Sequence, residues 1–189
     1  MLAFIKMVLL QTALILGLSS FSYVFAMPIV SIEPSTQIVN LGQHFTLDAK
    51  VSDVVDLYGF QFDLFFSPSI LASTGMAEGD FLATGGTTFF IPGVIDNSTG
   101  TISFIANTLL SSSPGVNGTG ILASFDFVAT GSGTSLVTIS NVLLLDSTLA
   151  EIPFTTANAT VTSVPEPATM LLLGLGLMGL AGVRKRFRQ

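Results

Sequence analysis

The sequence predicts an all-β protein: an antiparallel β-sandwich flanked by an N-terminal signal peptide and a C-terminal transmembrane helix. Two observations carry the sandwich. Between Met27 and Ser163 no helical period is sustained, while short stretches of alternating apolar and polar residues recur, separated by Gly, Ser, Asn and Pro. About eight or nine such strands in roughly 137 residues suit antiparallel pairing better than a parallel α/β sheet. A third observation sets the flanks, since each end of the chain carries an apolar run with basic residues beside it.

The chain divides on this reading into a signal peptide (1–26), a sandwich domain (27–163) and a sorting tail (164–189). In the first segment Lys6 is the sole basic residue and Met7 to Leu18 supplies an apolar core. Val24-Phe25-Ala26 has the small or modest residues of a signal-peptidase site, which places cleavage after Ala26. The alternative is an uncleaved N-terminal anchor; either way the middle of the chain is exported.

In the sandwich segment, Phe45, Leu47, Ala49 and Val51 alternate with Thr46, Asp48 and Lys50, the pattern of a half-buried strand. Phe60, Phe62, Leu64 and Phe66 alternate with Gln61, Asp63 and Phe65. Ile102, Phe104 and Ala106 oppose Thr101, Ser103 and Ile105, and Ala123, Phe125 and Phe127 oppose Ser124, Asp126 and Val128. Val137 and Ile139 follow among Leu136, Thr138 and Ser140, and Ala157 to Val164 forms a last, Thr-rich strand. Turns are signalled at Ser67-Pro68-Ser69, Thr84-Gly85-Gly86, Asn97-Ser98-Thr99-Gly100 and Gly131-Ser132-Gly133, with the longest loop from Ser111 to Gly120. The expected core is Phe60, Phe62, Leu64, Phe104, Phe125 and Phe127, buried between sheets ~10 Å apart. Phe65 falls on the opposite register and is the candidate partner contact; a neighbouring loop covering it is the plainer reading.

The formal net charge of −6 conceals a partition. Four of the six basic residues lie in the last six positions, whereas Met27 to Pro167 holds all twelve acids against Lys50 alone, a formal −11. Such a segment repels phosphates, which argues against nucleic acid as a partner; its acids serve solubility or attract cations or a basic partner. Cysteine is absent, which removes disulfides, thiolate nucleophiles and cysteine-held metals.

Little in the domain suggests catalysis. His44 is the sole histidine and sits in no recognised triad or zinc pattern. The acid pairs Asp53 with Asp56 and Glu78 with Asp80 read as solvated turn residues, and no D-x-D-x-D-G calcium loop is present. No catalytic residue, cofactor or metal is therefore expected, and a hydrolase is disfavoured. There is no Trp, and the tyrosines are Tyr23 and Tyr58, so aromatic platforms for sugars are few. Asn97-Ser98-Thr99, Asn117-Gly118-Thr119 and Asn158-Ala159-Thr160 fit the N-glycosylation pattern, which arises readily in turns rich in these residues.

The tail orders three elements. Pro165 and Pro167 lack N–H donors and end the preceding strand. Ala168 to Val183 has no ionisable side chain and as a helix spans about 24 Å, against a hydrocarbon core of ~30 Å. Arg184, Lys185, Arg186 and Arg188 resist translocation and keep the end in the cytoplasm. Gly174, Gly176 and Gly179 spell the dinucleotide fingerprint, but with ten residues remaining there is no βαβ unit to hold a nucleotide.

Pro165-Glu166-Pro167, the Gly/Leu-rich run and the arginine-rich end together resemble the PEP-CTERM sorting signal of exported bacterial proteins. That resemblance implies a temporary inner-membrane anchor recognised by an exosortase-type processing enzyme, followed by release to the periplasm, outer surface or extracellular matrix. An ordinary C-terminal anchor is the alternative. Residues 59–71, from Gly59-Phe60-Gln61-Phe62-Asp63 through Ser67-Pro68 to Leu71, are similar to cohesins, as are Gly79-Asp80-Phe81-Leu82, Gly100 to Phe104 and Gly120 to Phe127. Ser67 stands where cohesins usually carry Asp. The cohesin resemblance implies a jelly-roll sandwich and non-covalent adhesion to a dockerin-like protein. The expected function is that of an exported, non-enzymatic surface or matrix protein; the alternative is a module binding extracellular polysaccharide.

Overall fold

The computed structural model describes residues 27–110 and 114–166 and the single position 176. Ala26, Pro167 and all of the run 168–183 except position 176 lie outside the described residues, as does the basic end 184–189. Among the described residues no helix is long and apolar enough to cross a membrane.

The domain is a β-sandwich. Strands β1 (Ile29–Glu33), β3 (His44–Leu57), β5 (Leu71–Glu78), β9 (Val116–Ala129) and β11 (Thr155–Ala157) form one sheet, in the order β11-β1-β3-β9-β5. The other sheet contains β2 (Thr36–Asn40), β4 (Gly59–Phe65), β6 (Thr88–Ile91), β7 (Val94–Asp96), β8 (Thr101–Leu109), β10 (Gly133–Leu145) and β12 (Ala159–Val164). Its order is β2-β12-β10-β4-β8-β6, and β7 also pairs with β8. One turn of helix, α1 (Asp80–Ala83), buries Phe81 and Leu82.

The alternation works as expected along the long strands. Phe45, Leu47, Ala49 and Val51 of β3 are buried, as are Phe60, Phe62 and Leu64 of β4 and Phe125 and Phe127 of β9. The aromatic residues join the sheets: Phe62 lies edge-on to Phe125 with ring centres 6.3 Å apart, and Phe66 lies edge-on to Phe127 at 5.2 Å. Among the described residues every buried apolar residue of the core falls between Val30 and Val161, so residues 27–166 carry a continuous core of their own, as a separately folding domain does.

The sequence pattern differs from the structure in three respects. Pairing is not wholly antiparallel, because β1 runs parallel to β11 and β2 parallel to β12. The expected loop 111–120 is shorter, since β9 begins at Val116 and pairs Leu57 with Val116. Phe104 is not a core residue: it is 51% exposed. Between the pairs Phe62–Ile105 and Leu64–Ile102, Asp63 stands opposite two residues, Ser103 and Phe104. This bulge adds a residue to β8, shifts the alternation by one and buries Ile105 in place of Phe104.

The turn at Asp96–Gly100 forms as signalled. Gly100 has φ +73° and donates its N–H to the Asp96 carbonyl at 2.9 Å. A Cβ there would lie 2.2 Å from the Phe66 carbonyl oxygen, so only glycine fits. The Ser98 hydroxyl donates to Asp96 Oδ1 at 2.6 Å, and this bond, helped by the Ser98 and Thr99 amides, lowers the Asp96 carboxyl to about 2. A folded-state value below the unfolded one stabilises the turn above the unfolded pKa and loses that contribution as pH falls through the folded value. Thermal midpoints are therefore expected to decline as pH falls from about 4 to about 2, and Asp96→Asn, which cannot titrate, to remove part of that decline. An identical slope for the variant would contradict the assignment.

Candidate functional site

The two outer faces differ in chemistry. On the five-stranded sheet the exposed side of β3 and β9 is polar apart from the exposed Val55: Thr46 donates to Asp126 Oδ1 at 2.9 Å and Ser124 to Asp48 Oδ1 at 2.6 Å. Lys50 lies on this face, next along β3 from buried Ala49 and Val51. On the seven-stranded sheet the outward side is studded with apolar groups. Phe65 is 39% exposed, Val94 69% and Leu136 54%, with Phe104 among them. Strand pairing sets them in neighbouring rows: Phe65 stands between Thr138 of β10 and Thr101 of β8, and Val94 pairs with Ser103. No lysine or arginine of the domain lies on this face, which carries the carboxylates of Asp63 and Asp96.

At the start of β4 the face deepens into an open groove of about 190 Å³. Its walls include Gln61, Phe89, Ile91, Leu143, Leu145 and Leu149, drawn from β4, β6, β10 and the turn after β10. The volume suits one large apolar side chain of a partner. A turn built on Asp146 carries Leu149 to the groove: its Oδ1 accepts from the Thr148 hydroxyl at 2.7 Å and from the Ala150 amide at 3.0 Å. These bonds, the Thr148 hydroxyl first, hold the Asp146 carboxyl below the usual carboxylate range.

Phe65 is thus exposed on the outer face, as the alternation required. Pro165 and Glu166 are exposed directly after β12, whereas Pro167 and Ala26 lie outside the described residues. Phe104, Val94 and the groove were not anticipated from sequence. The doublet Phe104-Ile105, which breaks strict alternation, was the available signal for the bulge.

Two of the candidate acids, Asp56 and Glu78, are bonded into the fold. Asp56 accepts from the Ser147 hydroxyl and from the Gly115 amide, both at 2.6 Å, and these bonds, led by Ser147, lower its carboxyl pKa. Glu78 accepts from Thr88 and, at 2.8 Å, from Asn107 Nδ2. His44 is exposed at the start of β3. Among the described residues no three His, Cys, Asp or Glu side chains gather as a metal site. The three glycosylation-pattern asparagines are structural. Asn97 makes two bonds to the Ser73 backbone at 2.8 and 2.9 Å, Asn117 Oδ1 accepts from the Asp56 amide, and Asn158 Oδ1 from the Ile139 amide.

The seven-stranded sheet of this jelly-roll sandwich thus presents an apolar, acid-flanked, grooved outer face. Residues 30–163 match the family model of the cohesin domain, and residues 163–186 match the PEP-CTERM protein-sorting motif. The chain belongs to the cohesin family and carries a PEP-CTERM sorting motif, the combination of an exported protein. Cohesin is a non-catalytic interaction domain. Solved structures agree on the fold. A non-cellulosomal cohesin from Archaeoglobus fulgidus is 15% identical, with a TM-score of 0.61 over 77% of this chain and 96% of that one. The cohesin–dockerin complex Coh-OlpA-Doc918 from Clostridium thermocellum gives 9%, 0.62, 74% and 100% in the same order. The sixth cohesin of Acetivibrio cellulolyticus scaffoldin B, solved with a dockerin, gives 19%, 0.59, 74% and 100%. No curated protein matches the chain.

Proposed function

We propose that this protein is an exported, non-enzymatic adhesion protein whose cohesin domain grips a dockerin-like protein on the outer face of the seven-stranded sheet. The observation that carries this reading is the joint placement of Phe65, Phe104 and Val94 beside an apolar groove, on a face without cationic residues. Apolar side chains at the centre of an interface supply most binding energy, and surrounding carboxylates select a partner with Lys or Arg at its rim. The partner is therefore a protein segment with one large apolar side chain for the groove and basic residues around it. The aliphatic residues Val94, Leu136 and Leu149 favour protein over polysaccharide, for which stacked aromatic platforms serve better.

The signal peptide ending at Ala26 exports the domain, and the tail holds it in the inner membrane until an exosortase-type enzyme acts at Pro165-Glu166-Pro167. From there it passes to the periplasm, outer surface or matrix.

The test sets the immobilised 27–166 domain against purified dockerin-like modules and extracellular polysaccharide from the source organism. A dockerin-like module is expected to bind saturably, and Phe65→Ala to weaken it by more than ~1 kcal/mol with an unchanged thermal midpoint. Retention of polysaccharide alone would replace this reading. Lost stability at unchanged affinity would make Phe65 a packing residue.

A further inference from the structure

Asp63 sits at the centre of the outer face and joins two irregularities of the sheet. On one side, the bulge of β8 places Phe104 at φ +59°. On the other, between the pairs Ser140–Asp63 and Leu143–Gln61, β10 also carries one extra residue, and Asn141 there has φ +50°. Positive φ is unfavourable for a phenylalanine and tolerated by asparagine. A bulge also removes the ladder acceptor from an amide. Asp63 supplies what the ladder lacks: Oδ1 accepts from the Phe104 N–H at 2.7 Å, and Oδ2 from Asn141 Nδ2 at 2.6 Å. One carboxylate thus ties both neighbours of β4, in short bonds assisted by its charge.

We propose that Asp63 is the positioning residue of the docking face. Its bond to the Phe104 amide holds the bulge that turns Phe104 outward, so that Phe104 and Phe65 stand on the same surface, Phe104 opposite Asp63 and Phe65 two residues further along β4. Without the carboxylate, β8 has an in-line alternative in which the alternation runs unbroken and Phe104 leaves the surface. A substitution at residue 63 therefore reshapes the binding surface without touching either aromatic side chain. The functional part of this inference rests on the proposed binding role; the structural part does not.

Residue-resolved amide exchange on the 27–166 domain tests it. Asp63→Ala is expected to speed exchange at Phe104 about tenfold or more, while Leu47 and Phe125 in the opposite sheet keep wild-type rates. Asp63→Asn keeps an Oδ1 acceptor for Phe104 and meets a flipped Asn141 amide, so it should stay within roughly threefold of wild type. Should Asp63→Ala not fold, Asp63→Ser, too short to span both bulges, takes its place with the same expectation. Against a bound dockerin-like module, Asp63→Ala should weaken affinity about fivefold or more and Asp63→Asn should restore most of it. Wild-type protection of Phe104 in Asp63→Ala, or equal affinity losses for Ala and Asn, would overturn the assignment. If the wild-type domain binds no such module, the adhesion reading fails, and exchange at Phe104 still decides the role of Asp63.

Discussion

Phe62→Ala is expected to destabilise the domain by about 3–5 kcal/mol, the range for truncating a fully buried phenylalanine. Phe62 has no exposed surface, stacks on Phe60 at 5.7 Å and meets Phe125 of the opposite sheet edge-on. Removing its ring leaves a cavity between the sheets, lined by neighbours held on two separate backbones that cannot close together. Urea or thermal unfolding of the 27–166 domain measures the loss, and a midpoint close to wild type would mean that Phe62 does not bridge the sheets. Phe104→Ala is the internal control: its exposure predicts a change within about 0.5 kcal/mol, the usual scale of a surface substitution.

Glu166→Ala is expected to leave full-length protein in the membrane fraction, with near-complete loss of the released form. Glu166 is exposed two residues beyond the last strand, so replacing it disturbs no core contact. A failure of release would then report on recognition rather than folding. Fractionation followed by detection with an antibody to the sandwich domain gives the measurement, alongside wild type in cells lacking any exosortase. Normal release in either case would leave an ordinary anchor as the better description of the tail.

Much of the sandwich was legible because a buried strand face must repeat every second residue, and Phe60, Phe62, Leu64 and Phe66 do so without interruption. Phe65 was legible for the same reason. The rule failed at Phe104 because it assumes one residue opposite one, and a bulge places two opposite Asp63. The sequence does hold traces of both irregularities: the Phe104-Ile105 doublet, and Asn141, a residue suited to positive φ within an otherwise strand-like run. The groove left no such trace. Its walls come from Gln61, Phe89, Leu143 and Leu149, and their proximity depends on strand order rather than on local spacing. The parallel partners β2 and β11 were equally hidden, since a strand of three to five residues at a sheet edge has too little length for a period.

The end of β12 fixes where the chain leaves the fold. Val164 pairs with Asn40, its carbonyl accepts from the Leu41 amide at 2.9 Å, and the sorting motif starts at the next residue. The leash between fold and motif therefore has no slack. Ser163 lies level with Gly133 at one end of β10, and the groove lies by Leu145 at the other end. Eleven or so strand steps separate them, roughly 35 Å. The groove and the exit of the chain thus lie at opposite ends of the sandwich. A side chain seated in the groove would then stay clear of the tether, and a partner could be loaded there before any release of the chain.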